Sequence, residues 1–216
     1  MTKSRDVFGI KCKNTSQQKA FNALLNPERD LVVICGASGA GKTLLAMAAG
    51  LEQVLEKKQY TDIMITRSLV AVGEEMGHLP GDVNDKMYPW LGAFYDNLEF
   101  LIGDSRMTES IIKNRIKMVA MQFIRGRSFN YKYIIVDETQ NLTVSQLKVL
   151  LTRAGEGTKI VCLGCVNQCD MKNQTGQNAL AYLIDKANNC PFAEVVHLPD
   201  CVRSRLSKWA DDNIGE

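Results

Sequence analysis

Histidine is scarce in this chain, with two in 216 residues, His78 and His197. No serine–histidine–acid or cysteine–histidine set is spaced for nucleophilic catalysis. Long apolar runs are missing as well. The longest are short stretches such as Leu31-Val32-Val33-Ile34-Cys35, far below the roughly 20 residues that a membrane span needs, so no membrane partner is expected. Met1-Thr2-Lys3-Ser4-Arg5-Asp6 leads into no apolar core of signal-peptide length. Charge of one sign is also lacking: 26 Lys+Arg against 24 Asp+Glu leave a formal net charge of +2. A near-neutral total neither demands nor excludes a nucleic-acid partner, because a local basic groove is enough to bind phosphates. Repeats, low-complexity tracts and linkers are absent, and so is the spread of carboxylates that a metal-dependent nuclease uses.

What remains is ordinary globular composition, 45% hydrophobic and 23% charged, which excludes a disordered or fibrous chain. A chain of 216 residues suits one α/β domain. It buries roughly 70% of the surface its unfolded form exposes, so it needs neither disulfides nor a structural metal to fold. Seven cysteines, an odd number without an export signal, read as reduced thiols of a cytoplasmic protein. Residues 1–216 read as a single domain, with 1–14 a short lead-in able to flex.

Short β-branched apolar runs, Leu31–Cys35, Ile63–Thr66, Tyr133–Val136, Lys159–Leu163 and Glu194–Leu198, alternate with helix-like segments at Thr43–Lys57, Thr143–Arg153 and Gly176–Asn188. That alternation predicts an α/β fold whose mostly parallel sheet carries helices on both faces. Thr143 is expected to cap its helix, with Gly155 and Gly157 closing it. The stretch from Arg67 to Trp90 fits neither period and reads as a long connection, a kind of segment that is usually functional.

Gly36-Ala37-Ser38-Gly39-Ala40-Gly41-Lys42-Thr43 fits G-x-x-x-x-G-K-[ST], the Walker A pattern, placed after a strand and opening a helix. The glycines permit backbone conformations that a Cβ would block, and the amides of about residues 39–43 can converge on phosphate oxygens. The start of the helix adds its positive end. Lys42 would reach the β- and γ-phosphates of a nucleoside triphosphate, and the Thr43 hydroxyl would ligate Mg²⁺. Such a loop needs a carboxylate from a neighbouring strand. Tyr133-Ile134-Ile135-Val136-Asp137-Glu138 supplies it as a Walker B segment: Asp137 for the metal shell, Glu138 to polarise the attacking water. A carboxylate base beside the metal carboxylate favours hydrolysis over transfer to a small acceptor.

These residues carry a resemblance. Asp137-Glu138-Thr139-Gln140-Asn141 resembles the D-E-A-Q-N segment of PhoH-like ATPases, which are related to the first motor domain of superfamily 1 helicases. Thr66-Arg67-Ser68-Leu69-Val70, Gly73-Glu74-Glu75-Met76-Gly77-His78-Leu79-Pro80-Gly81-Asp82 and Arg125-Gly126-Arg127-Ser128 are similar to further blocks of that family, in the same order. The resemblance covers roughly residues 15–206. It implies a RecA-like P-loop ATPase using ATP and Mg²⁺. It also implies roles for Gln17 or Gln18 at the adenine, Gln168 as a γ-phosphate sensor and Arg203 as a charge stabiliser. The family has Gly-Asp where this chain has Gly164-Cys165, which puts the rate of hydrolysis in question. Ser68 and Ser204-Arg205 depart from its usual proline and His-Pro.

Three other patterns compete. Cys162, Cys165 and Cys169 have spacing that suggests a metal site, with His197, Cys190 or Cys201 as a fourth ligand, but Cys162 in an apolar strand reads as a buried thiol. Asn167-Gln168-Cys169-Asp170 mimics a guanine reader, yet Asp137 lacks the D-x-x-G glycine of that class. His197, in its apolar strand, reads as structural. Arg67, Arg125 and Arg127, with Lys113, Arg115, Lys117 and Lys132, could line a groove for RNA or single-stranded DNA, or form a plain solvated face. One motor domain leaves processive unwinding to a homo-oligomer such as a ring. Two alternatives stay open: a nucleotide-gated binding module with little hydrolysis, and a P-loop kinase of a small molecule.

Overall fold

The computed structural model describes residues 6–67, 83–166 and 178–200, together with positions 202, 206, 209 and 213. In chain order the elements are α1 (Thr15–Leu25), β1 (Leu31–Gly36), α2 (Lys42–Leu51), β2 (Asp62–Arg67), α3 (Val83–Ile102), α4 (Ser105–Arg115) and β3 (Ile116–Met118). They continue with β4 (Lys132–Asp137), α5 (Val144–Leu151), β5 (Lys159–Gly164), α6 (Ala179–Ala187) and β6 (Ala193–Leu198).

Six strands form one sheet in the order β3-β2-β4-β5-β1-β6, and every neighbouring pair is parallel. All carboxyl ends therefore share one edge, where an open α/β sheet builds its ligand crevice. Alternation sorts the central strands. Val32 and Ile34 pack with α1, α2, α3 and α4 on one face, through Phe21, Leu45, Leu98 and Ile111. Val33, Ile134 and Val136 pack with α5 and α6 on the other, through Leu147, Leu150, Leu180 and Leu183. Both faces are covered, which is why the strands read as continuous apolar runs rather than alternating ones.

Helix starts follow sequence chemistry. The Asn14 side chain accepts from Gln17 N at the start of α1, and Asp104 does the same for Met107 in α4. Thr143 caps α5 through a full capping box with Gln146. Some elements differ from expectation. Helix α5 ends at Leu151 with Thr152 as its cap, ahead of Gly155 and Gly157, which serve the following loop. Helix α3 begins at Val83, so the latter part of the expected connection is helical. Helix α2 passes into a π turn, Glu52–Glu56. That turn buries Gln53, whose Nε2 donates to the Ala49 and Leu24 carbonyls, tying α2 to the end of α1.

Candidate nucleotide site

The loop between β1 and α2 is wound as a phosphate cradle. Gly39 and Gly41 stand at φ +76° and +87°, the left-handed region that glycine enters without a Cβ penalty. Gly41 is the N-cap of α2 and no side chain caps it, so the first amides of a ten-residue helix face outward for an anion. The cradle is braced from below. Gln17, 5% exposed, donates through Nε2 to Ala40 O at 3.2 Å and accepts from Lys13 N at 2.8 Å. A Cβ on Gly36 would come within 2.4 Å of Leu198 O, so β6 runs hard against the loop. Beyond it, Val202 N donates to Gly39 O at 3.1 Å, and Lys13 Nζ donates to Val202 O. Lys42 Nζ rests on the Gly36 and Ala37 carbonyls at 2.8 and 2.9 Å, a local position from which an incoming phosphate can draw it.

Strand β5 lies between β1 and β4, so the cradle and the end of β4 are separated by about 10 Å, two strand spacings. That gap is the width of a phosphate with its metal and water. On its far side Asp137 is 8% exposed. Its carboxyl is pushed up to about 6, first by burial and then by neighbouring Glu138, with Arg67 and Lys42 only partly offsetting the rise. A buried carboxylate on one side of this gap and a threonine hydroxyl at the start of α2 on the other are hard-oxygen donors of the kind that suit Mg²⁺. The residues present fit that ion.

Glu138 sits at φ +50°, ψ +46°, a left-handed conformation that costs a non-glycine residue about 1 kcal/mol or more and tends to mark functional positions. The strain turns its carboxylate out of the strand direction. One oxygen accepts from Gln140 Nε2, and the other lies 3.9 Å from Arg67 Nη2. Gln140 is 1% exposed, and its Oε1 accepts from Cys165 N at 3.2 Å. It thus bridges the Glu138 carboxylate to the end of β5. Sequence reasoning quoted Gln140 only as part of a motif. Its role depends on residue 165, brought alongside by strand pairing.

A family profile described as PhoH-like protein matches residues 9–214. The chain is 40% identical over 211 residues to Protein PhoH2 of Bacillus subtilis strain 168, covering 95% of this chain and 48% of that protein. It is 35% identical to Protein PhoH2 of Thermobispora bispora, covering 94% and 47%. This chain belongs to the PhoH-like family. It spans about half the length of these relatives. Among solved structures, the large terminase of bacteriophage HK97 aligns with 99% of this chain and 48% of its own, at 15% identity and a TM-score of 0.54, a likeness in fold.

Within this PhoH-like domain the remaining candidates fall out differently. Gln18 donates its side-chain amide to Asn22 along the exposed side of α1. Gln168 and Arg203 lie outside the described residues, as do His78, Cys169 and Cys201. The basic residues do not form one groove. Lys117 and Lys132 hold Asp62 at 3.1 and 2.6 Å, and Arg115 donates to Thr61 O, all near the amino edge of the sheet. Arg67 stands at the carboxyl edge, paired in register with Asp137, and Arg125 and Arg127 are exposed in the segment after β3. Cys162 is fully buried with its thiol pushed up to about 12 by burial. Among the described residues no three His, Cys, Asp or Glu side chains gather for a metal. His197 is exposed on edge strand β6 rather than packed, because that strand pairs on one side only. No helix among the described residues is long and apolar enough to cross a membrane.

Proposed function

We propose that this domain binds ATP with Mg²⁺ and hydrolyses it, coupling turnover to RNA or single-stranded DNA as a cytoplasmic homo-oligomer. The observation that carries hydrolysis is the strained Glu138, held by Gln140 across from the cradle. Lys42 moves from its carbonyl rests to the β- and γ-phosphates, and the α2 amides bind the same oxygens. Thr43 and Asp137 hold the metal. Bound there, Mg²⁺ neutralises charge developing on the phosphate oxygens. Glu138 orients the attacking water and accepts its proton, with the Arg67 guanidinium 3.9 Å from its carboxylate. Gln168 would sense the γ-phosphate and Arg203 would stabilise its charge, while Gln17 and Gln18 border the base side of the cradle, as the family resemblance implies. The nucleic-acid part is supported by Arg67, Arg125 and Arg127. A single P-loop surface leaves the outer side of the γ-phosphate open, and a head-to-tail neighbour in an oligomer, a ring among them, would close it.

The test is phosphate release and binding of a fluorescent ATP analogue by wild type, Lys42→Ala and Glu138→Gln, each with and without single-stranded RNA. Lys42→Ala should lose both signals. Glu138→Gln should keep binding and lose release by about 10²-fold or more. Wild-type release from Glu138→Gln would remove hydrolysis by this carboxylate. Nucleotide bound but never cleaved would leave a gated binding module, and labelled phosphate on a small acceptor would reveal a kinase. A monomer in sedimentation with ATP and Mg²⁺ removes the oligomer.

A further inference from the structure

At the outer side of the sheet, in the segment that follows edge strand β3, an aromatic ring is exposed where packing does not require it. Val119 N donates to Ile65 O at 3.0 Å, which carries β3 to the carboxyl end of β2. The chain then makes a 3-10 turn, Met121–Phe123. Met121 is 7% exposed and Ile124 fully buried, yet Phe123 between them is 49% exposed. Its backbone is fixed by Phe123 N to Ala120 O at 2.9 Å and Ile124 N to Met121 O at 3.3 Å, so the ring is offered on a rigid turn.

Two cations follow at once. Arg127 N donates to Ile124 O at 3.3 Å and Gly126 stands at φ +76°. Together these form a type II turn with glycine where positive φ is required. It projects Arg125 and Arg127 from the buried Ile124. The Arg127 guanidinium lies 5.1 Å from the centre of the Phe129 ring, which fixes its direction. Neither arginine has a carboxylate within salt-bridge distance among the described residues. Two of the other exposed rings stand next to carboxylates: Phe100 follows Glu99, and Tyr131 is hydrogen-bonded to Glu156.

We infer that Phe123 is a base-stacking platform for single-stranded nucleic acid, with Arg125 and Arg127 holding the flanking phosphates. The inference rests on the nucleic-acid reading above and names the residue that contacts the base. Every base presents a π-face, so a ring on a rigid turn binds without sequence preference, and unpaired guanidinium groups add the salt-dependent part. An acidic peptide would use the arginines and leave the ring idle. Arg67, on the strand between this turn and Asp137, touches Glu138, so a bound strand lies one β-strand from the group that handles water.

The experiment uses the full chain and fluorescence anisotropy of a labelled oligo(U) 12-mer and of an abasic strand of equal length, over a range of salt. Phe123→Ala should weaken oligo(U) about tenfold, leave the slope of log affinity against log salt unchanged, and bind the abasic strand as wild type does. Arg125→Ala and Arg127→Ala should each reduce that slope by about 0.7. Phe123→Trp should restore affinity, and its added fluorescence should be quenched by oligo(U). Equal oligo(U) affinity of Phe123→Ala and wild type, with the arginine variants weakened, overturns the platform and leaves the arginine contacts standing. An equal loss on the abasic strand also overturns it, because then the ring does not act through bases. No binding by wild type at low salt overturns the nucleic-acid reading itself.

Discussion

Asp62 and Asp137 occupy opposite edges of one sheet, at the start of β2 and the end of β4. Strand register gives each a basic residue across the pair, Lys132 for Asp62 and Arg67 for Asp137. Both are nearly out of solvent, 5% and 8% exposed. Their treatment then diverges. Lys132 and Lys117 close on Asp62 at 2.6 and 3.1 Å, and these lysines hold its carboxyl below the usual range despite burial. Arg67 instead reaches toward Glu138, and burial leaves Asp137 raised to about 6. At the amino edge two lysines balance the buried charge through Oδ2, while Oδ1 has no hydrogen-bond partner. At the carboxyl edge burial and Glu138 outweigh Arg67 and Lys42, an imbalance that the proposed cation would offset.

The comparison breaks most sharply with Asp137→Asn. Removing the carboxylate proposed to hold the metal should cut ATP turnover by about 10³-fold, the scale of several kcal/mol of lost electrostatic stabilisation. The same change should stabilise the metal-free protein. Because the folded carboxyl titrates near 6 and the unfolded one in the ordinary range, wild type loses stability as pH rises from about 4 to 6 and stays penalised above. Asp137→Asn escapes that penalty, so it should gain about 2 kcal/mol at pH 8, or roughly 5 °C in Tm, and nothing at pH 3.5. Saturating Mg²⁺ with a nucleotide analogue should stabilise wild type and not the variant. Melting curves at the two pH values decide it: a lower Tm for Asp137→Asn at pH 8 would mean that the carboxylate is satisfied internally after all.

Asp62→Asn is the mirror case. It strands Lys132 beside Thr61 and should cost about 2 kcal/mol at pH 7, while changing turnover less than twofold. Its carboxyl is held low when folded, so the ion pair contributes stability above the ordinary carboxylate range and loses it as pH falls through the lowered value. The wild-type advantage should therefore shrink in acid. Turnover falling with Asp62→Asn below its melting temperature would erase the division between the two edges.

Legibility follows the same divide. Five strands lie within about a residue of where apolar runs place them, and Gly36 to Thr43 folds as the cradle its spacing implies, because both signals are local. Edge strand β3 has three residues, Ile116, Lys117 and Met118, too few to show a period. Lys117 and Lys132 lie with Asp62 rather than with Arg67, because charge says nothing about which way the chain runs. Arg125 follows the carboxyl end of β3, and seven positions later Lys132 opens β4 at the other edge. The bracing of the cradle by Lys13, Gln17 and Val202, and the bridge from Glu138 through Gln140 to Cys165, join residues far apart in sequence. No motif encodes such pairings.

That bridge gives the next prediction. A Cβ on Gly164 would lie 2.3 Å from Gln140 Oε1 and 2.8 Å from Leu180 Cδ2, so Gly164→Ala must displace the glutamine. Turnover should fall about tenfold with KM nearly unchanged, and stability by about 2 kcal/mol from overpacking. Gln140→Ala should reproduce the loss of turnover. If the glycine acts through the glutamine, Gly164→Ala in the Gln140→Ala background should cost little further rate, and a double-mutant cycle measures that coupling. Fully additive losses would separate the two residues and leave Glu138 positioned by its backbone alone.

The smallest effect is expected at Cys165, where family resemblance places an aspartate. Its N–H already donates to Gln140, and its half-buried side chain stands at the end of β5 between cradle and Walker B carboxylates. Cys165→Asp would add a carboxylate to an edge whose defining feature is unbalanced negative charge. Three consequences follow from that sign. Turnover at saturating Mg²⁺ should rise about two- to fivefold, because an outer carboxylate orders the water and the metal's ligands. Metal-free protein should lose stability above pH 6, where Asp137 is already ionised against its surroundings, and the midpoint of the Mg²⁺ dependence should move to lower concentration. A Mg²⁺ titration of turnover alongside metal-free melting reads all three. A higher Tm without Mg²⁺ for Cys165→Asp would mean that a cation of the protein itself reaches this edge, and the contrast with Asp62 would disappear.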